Sequence, residues 1–165
     1  MRLMLGALAV SGCTATVPTP NAIDIADVFT GLHESTNREV ISSLVGVDPV
    51  RIEWCAAFVN AILHTQGVSG SESVSDAPLM ARSFLRWGVG VDVANIQRGD
   101  VVIFPRGNAG WQGHVGFYHS SAIVDGVPHM LILGGNQSDS VSYEYFKTSS
   151  VIGIRRAEEA NNATN

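Results

Sequence analysis

Three residues of this sequence have the types and the surroundings needed for nucleophilic catalysis by a thiol. Cys55 begins the most apolar predicted helix, where unpaired N–H groups and the helix dipole stabilise a thiolate. His114 opens a predicted strand after the glycine-rich loop 106–113, where a side chain is accessible to substrate. Asn136 follows two glycines at the end of a later strand, and its amide oxygen can accept a hydrogen bond from an imidazole N–H. Together they predict a thiol nucleophile, a base and a residue that orients the base.

Each of these assignments has an alternative that the residues alone leave open. A lone cysteine beside an apolar helix is more often a core residue, and Gly-Gly-Asn-Gln at 134–137 is a common turn. His64 lies at the far end of the helix that Cys55 begins, and His119 points to the other face of the strand from His114. The histidines that compete with His114 for the role of base are His33, His64, His119 and His129.

The elements that must position these residues follow from the apolar periodicity. Spacing at 3.6 residues predicts helices over 22–32, 38–45, 54–66 and 77–87. Short apolar runs then predict strands over 101–104, 114–119, 130–133, 141–146 and 151–155. Helices followed by an antiparallel sheet indicate an α+β fold, with Cys55 on a helix and His114 on a strand.

Composition limits the classes of protein to consider. The chain has 165 residues, of which 45% are hydrophobic, so it can bury the core of one domain. It carries 10 basic and 15 acidic residues, for a net charge of −5, and this balance argues against nucleic acid as a partner. A metal site built from Cys55, His114 and His119 is an alternative, but no compact ligand spacing such as Cys-x-x-Cys is present.

The N-terminal segment has the plan of an export signal. Arg2 precedes an apolar stretch over 3–10, and small residues then lead to Cys13. Val-Ser-Gly-Cys at 10–13 resembles the lipobox of a bacterial lipoprotein signal, which implies lipidation and membrane anchoring at Cys13. The alternative is a buried helix or an ordinary N-terminal arm. We therefore expect a signal and linker over 1–20, a catalytic domain over 21–156 and a polar tail over 157–165.

Four segments, in the order found here, resemble the signature of the CHAP and NlpC-like superfamily of bacterial and phage peptidoglycan hydrolases. They are EWCAAFVN at 53–60, RGDVVIF at 98–104, GHVGFY at 113–118 and LGGNQS at 133–138. GLHE at 31–34 with Asn37, and ARSFLRWG at 81–88, resemble a small, phage-rich branch of this superfamily. The resemblance covers roughly residues 28–156.

The resemblance implies a papain-like fold, in which a helix bearing the cysteine packs on an antiparallel sheet bearing the histidine. It implies that Cys55 is the nucleophile, His114 the base and Asn136 the third member of the site. No aspartate-rich loop precedes Cys55, so we expect neither the calcium site of some CHAP enzymes nor any cofactor or other metal. The expected activity is cysteine-dependent hydrolysis of a peptidoglycan amide, either as an N-acetylmuramoyl-L-alanine amidase or as a stem-peptide endopeptidase.

The same resemblance suggests where the protein works and with what. Peptidoglycan is the expected substrate, and the phage-rich branch suggests a lysin or a virion-associated enzyme in contact with phage virion or tail proteins. The lipobox-like start instead suggests export to the periplasm or cell envelope, with anchoring through Cys13. A catalytically inactive wall-binding or structural module of the same fold is the alternative function.

Overall fold

The structure is a computed structural model, and it describes residues 20–158. Its helices are α1 (Ala22–Asp27), α2 (Arg38–Val45) and α3 (Cys55–Thr65), followed by a 3₁₀ helix over Ala81–Arg86. Its strands are β1 (Val89–Gly90), β2 (Val101–Pro105), β3 (Gly113–Val124), β4 (Val127–Gln137), β5 (Ser140–Lys147) and β6 (Gly153–Arg156). The predicted signal with Cys13 and most of the predicted polar tail lie outside the described residues.

Local capping and burial account for the helices. The side chain of Asn21 accepts the N–H of Ile23 at 3.2 Å and so caps α1, as its residue type predicts. α2 ends at Gly46, whose φ of 73° is the left-handed conformation that glycine adopts easily. α3 is buried along most of its length, since eight of its residues, Cys55 to Asn60 with Ile62 and Leu63, lie in the interior. It is the central helix of the fold.

The prediction of a fourth α-helix over 77–87 is wrong. Turns occupy its first residues, and only the 3₁₀ helix over Ala81–Arg86 follows. An α-helix here would need the Pro78 carbonyl to accept the N–H of Arg82. That carbonyl instead accepts Asn60 Nδ2 at 3.0 Å and the Ser71 hydroxyl at 3.3 Å. The side chain of Asn60, which projects from α3, therefore helps to prevent helix formation.

The six strands form one antiparallel sheet in the order β1-β6-β2-β3-β4-β5. β3 and β4 are longer than predicted because a tight turn at Asp125 and Gly126, both with positive φ, joins them directly. β1 is a two-residue strand that pairs with β6, and apolar patterning does not reveal a strand this short.

Side chains pack on both faces of the sheet, but they come from different parts of the chain. α3 packs on one face, where Trp54 and Phe58 meet Val115, Phe117 and Leu133 in the main core. On the opposite face, Val91, Ile96, Phe146 and Val151 pack against a smaller cluster formed by strand residues Val102, Phe104, Tyr118, Met130, Ile132 and Ile154. The predicted α+β arrangement, with the helix bearing Cys55 packed on the sheet bearing His114, is confirmed. Within residues 20–158, none of the helices has the length and apolar character of a membrane span.

Candidate active site

The start of α3 is fixed by Trp54, the residue immediately before Cys55. Its indole is fully buried, packs edge-on against Phe58 with ring centroids 6.2 Å apart, and donates a hydrogen bond from Nε1 to Glu34 Oε2 at 3.0 Å. The Trp54 carbonyl accepts the Phe58 N–H at 2.9 Å, which is the first bond of the helix. Cys55 is thereby placed at the helix N-terminus, as predicted from the sequence.

The thiol of Cys55 is 3% exposed and lies against strand β3. Burial raises its pKa above the ordinary value, and the nearby carboxylate of Glu53 adds to this effect. The backbone N–H groups of Val115 and Ala56 donate to the sulfur and, with the charge of Arg106, oppose the rise. The stabilisation expected at the helix N-terminus is therefore present, but desolvation outweighs it. The contact with Val115 links the thiol to the residue that follows His114.

A cleft of 470 Å³ opens beside Cys55. One side is apolar and includes Leu79, Met80 and Trp111, whose indole is 63% exposed. Among the described residues that line the cleft, Arg106 is the only cation and Glu53 the only anion. The complete lining is Glu53, Cys55, Leu79, Met80, Ala81, Arg106, Gly107, Trp111, Gln112 and Gly113. A mostly apolar cleft with a few charged groups beside a cysteine is suited to binding a small polymer segment.

His114 lies near the start of β3, on the face of the sheet opposite α3. Its cross-strand neighbour is Phe104, and its ring stacks on Phe146 with centroids 5.3 Å apart. The side chain is only 4% exposed, and this burial lowers the pKa of His114 to about 4. A hydrogen bond to Gln137 raises the pKa, and the charge of Arg106 lowers it further, but both effects are smaller. The imidazole is therefore neutral at neutral pH.

Gln137 fixes the tautomer of this imidazole. Its Nε2 donates to the carbonyls of Ser142 at 2.6 Å and Ile132 at 3.3 Å, which leaves Oε1 facing the ring. Oε1 is only an acceptor, so the His114 Nε2 atom, 2.9 Å away, carries the proton. Nδ1 then carries the lone pair, and it is buried without a hydrogen-bond partner among the described residues. A neutral nitrogen with an unused lone pair can accept a proton, as a general base does, although burial makes this imidazole a weaker base than a free one.

Asn136 makes no hydrogen bond to His114 in the described part of the chain, so its role as the third member of the site stays a prediction. Its Nδ2 donates to Glu53 Oε2 at 2.7 Å, on the side of the cleft. Alternation along β4 would place residues 132, 134 and 136 on the His114 face. However, the register shifts between Gly134 and Gln137, and Asn136 adopts a left-handed conformation with φ 57°. This irregularity gives Gln137 the place that regular alternation assigns to Asn136.

None of the remaining histidines is among the described residues that line the cleft beside Cys55. His64 pairs with Glu72 at 2.8 Å near the C-terminal end of α3, and His129 contacts the Val127 carbonyl at 2.9 Å. His33 contacts the Ser35 hydroxyl at 2.9 Å, and His119 packs edge-on against Tyr143, on the α3 side of the sheet. In the described part of the chain, no three histidine, cysteine or acidic side chains are grouped to hold a metal ion.

Comparison with known proteins found a likeness among solved structures. The chain is similar to an NlpC/P60 family protein from Bacillus cereus ATCC 10987, with 22% sequence identity over 84% of this chain and a TM-score of 0.49. This chain spans 41% of the length of that protein. No family model and no curated protein sequence matches the chain.

Proposed function

We propose that this protein is a cysteine-dependent hydrolase that cleaves an amide bond in peptidoglycan. The observation that carries the proposal is the state of His114, whose Nε2–H is held by Gln137 while its Nδ1 lone pair is unused. The next residue on the same strand donates its N–H to the Cys55 sulfur, and Cys55 borders an open cleft. A base and a nucleophile supported by one strand suit a thiol hydrolase.

The reaction would follow the usual course of thiol acyl transfer. Because His114 faces away from α3 and its Nδ1 has no hydrogen-bond partner among the described residues, the Cys55 proton would reach Nδ1 through a bridging water as the sulfur attacks the carbonyl carbon of the amide. The C–N bond then breaks, His114 returns the proton to the leaving amine, and a thioester remains on the sulfur. Water, deprotonated by His114, attacks the thioester and releases the carboxylic acid and the thiol. The backbone N–H of Cys55, at the start of α3, is suited to stabilise the oxyanion.

The four sequence segments that resemble peptidoglycan hydrolases support the choice of substrate, and so does the cleft. The exposed indole of Trp111 and the apolar side chains of Leu79 and Met80 can pack against a sugar ring or a stem peptide. Amidase and endopeptidase activity remain the two candidate specificities, because both use the same thiol chemistry. A phage lysin, a virion-associated enzyme and an envelope lipoprotein anchored at Cys13 remain the proposed biological settings.

Zymography on purified cell walls tests the proposal. We expect wild-type protein to clear the walls and Cys55→Ala and His114→Ala to lose at least about a thousandfold in rate, since each removes a reacting group. His64→Ala is the matched control, because His64 is exposed and lies near the other end of α3. Full clearing by Cys55→Ala would refute the proposal.

Three further measurements decide between the alternatives. If the folded wild-type protein binds walls without degrading them, the inactive wall-binding module replaces the hydrolase. Mass spectrometry of released fragments distinguishes cleavage at the muramoyl–alanine bond from cleavage within the stem peptide. Mass spectrometry of the mature N-terminus, made in a bacterial host, tests for a lipid on Cys13.

A further inference from the structure

The pair formed by Cys55 and His114 leaves an electrostatic requirement unmet. In a thiol–imidazole pair, the imidazolium usually supplies the positive charge that stabilises the thiolate. Here burial and the stack on Phe146 keep the His114 imidazole neutral, while burial also disfavours the Cys55 thiolate. A second source of positive charge near the sulfur would therefore make the nucleophile easier to form.

Arg106 is in the right place to supply that charge. It follows β2 directly and borders the same cleft as Cys55, where it is the only cation among the described lining residues. Its charge lowers the pKa of both Cys55 and His114, so the guanidinium acts on both reacting groups. It thus favours the thiolate and disfavours the imidazolium, which is the pattern expected if Arg106 is the thiolate's main cationic partner.

A hydrogen-bonded network holds this guanidinium at the cleft. Arg106 Nη1 donates to Glu53 Oε2 at 3.2 Å, and Asn136 Nδ2 donates to the same oxygen at 2.7 Å. Asn136 is 6% exposed and adopts the left-handed conformation, so its amide is set by the backbone at the end of β4.

The charged and titratable groups around Cys55 come from several elements. Glu53 precedes α3, Arg106 follows β2, and His114 lies on β3 one residue before the Val115 amide that bonds the sulfur. Arg82, from the 3₁₀ helix, donates from Nε to the Gln112 carbonyl at 2.7 Å in the wall of the cleft. The Glu53 carboxylate opposes the thiolate, so the effects of Glu53 and Arg106 on the sulfur have opposite signs.

We propose that Arg106 is a positioning residue whose guanidinium, held by Glu53 and Asn136, is the cationic partner of the Cys55 thiolate. Its role in hydrolysis rests on the proposed function. Arg106 neither gives nor takes a proton: the proton leaves the sulfur for His114 or for water, and the fixed positive charge lowers the cost of the anion that remains.

The test is the pH dependence of Cys55 alkylation by iodoacetamide, which reports the thiol pKa. We expect Arg106→Met to raise this pKa by about 1 and to slow alkylation at neutral pH about tenfold, whereas Arg106→Lys should restore most of the rate. Arg98→Met is the matched control, because Arg98 is a partly exposed arginine that pairs with Asp24 and does not border the cleft. It should leave the thiol pKa unchanged.

Glu53→Gln should shift the thiol pKa in the opposite direction to Arg106→Met. It removes a negative charge but keeps an oxygen that can accept hydrogen bonds from Arg106 and Asn136. We expect it to lower the thiol pKa. Equal thiol pKa values in wild type and Arg106→Met, or a rise in both Arg106→Met and Glu53→Gln, would overturn the proposal. Alkylation needs no cell wall. A wild-type protein that fails to degrade walls but shows these shifts would therefore refute the proposed function alone.

Discussion

The two faces of the sheet contribute different properties to the candidate site. On the α3 face, Cys55 lies at the edge of the main core, beside a cleft that contains both charged groups, Glu53 and Arg106. On the opposite face, His114 is enclosed by aromatic side chains, and Gln137 is its one hydrogen-bonded side-chain partner within the described residues. The nucleophile thus lies beside an open cleft with charged groups, whereas the base is buried and held in one orientation.

This difference shows how one strand can serve both groups. Successive residues of β3 point to opposite faces, so His114 and Val115 face different surroundings although they are adjacent. The Val115 backbone N–H nevertheless reaches the Cys55 sulfur. The backbone of β3, rather than a shared pocket, holds the two halves of the site together. Changes on one face should therefore have effects that changes on the other face do not reproduce.

The largest effect should be the loss of stability that follows when His114, on the enclosed face, is protonated at acid pH. The pKa of His114 falls from 6.5 to about 4 on folding, so the unfolded chain takes up this proton first as the pH decreases. The stabilising contribution is complete above pH 6.5 and is lost progressively down to about pH 4. Its size is about 3 kcal/mol, since each pKa unit corresponds to about 1.4 kcal/mol.

Urea unfolding between pH 7 and pH 4 measures this contribution. His114→Gln should flatten the dependence of unfolding free energy on pH, whatever its own stability at pH 7. NMR titration of the His114 ring gives the pKa directly, and a value near 6.5 would mean that this face is open to water.

Adjacent glycines on β4 sharpen the comparison of the two faces. A Cβ on Gly135 would lie 2.5 Å from the Trp54 ring and 2.7 Å from Phe58 Cβ, in the rigid core beneath α3. A Cβ on Gly134 would instead lie 2.7 Å from Gln137 Oε1 and 3.3 Å from His114 Nε2. Gly135→Ala should therefore lower the free energy of unfolding by about 1–3 kcal/mol through overpacking.

Gly134→Ala should lower the stability less, because the end of a flexible side chain can shift. It should displace the Gln137 amide, so activity per folded molecule should fall more than stability does. Gly110→Ala is the control for both, since a Cβ there meets nothing within 4 Å. Urea unfolding and wall-degradation rates on the same preparations separate the effects. Equal losses of stability in both variants would contradict the assignment of the two glycines to different faces.

Features set by local pattern could be predicted from the sequence. The apolar periodicity of α2 and α3 placed both helices to within a residue, and the α+β order followed from the succession of elements. The failed helix over 77–87 has good local periodicity, but Asn60, far away in sequence, bonds the Pro78 carbonyl that the helix would need. Local pattern contains no information about such a bond.

In the site, too, some features follow from local sequence pattern and others do not. Cys55 at a helix start and His114 on a strand follow from local signals, and the structure has both there. The partner of the imidazole could not be predicted, because a single left-handed residue shifts the alternation of β4 by one position. The glycines at 134 and 135 indicated close packing, but counting alternate residues across an undetected irregularity selects Asn136 instead of Gln137.

The smallest expected effect is on turnover, and it distinguishes the side-chain amides of Gln137 and Asn136. Gln137→Ala should lower turnover about tenfold, the cost of roughly one hydrogen bond that holds the useful tautomer. Gln137→Glu should raise the pKa of His114 through its charge, so the acidic limb of the pH–rate profile should move to higher pH. Asn136→Gly removes the other amide and keeps the left-handed backbone, for which glycine is suited.

Because Asn136 contacts Glu53 and not the imidazole, Asn136→Gly should leave the NMR titration of His114 unchanged. Its effect should appear in the Cys55 thiol, through weaker anchoring of Glu53 and Arg106 at the cleft. Each amide would then influence one reacting group and spare the other, as the separation of the two faces requires. If Asn136→Gly shifted the His114 titration while Gln137→Ala left it unchanged, the imidazole would be oriented from the cleft side and the separation of the two faces would not hold.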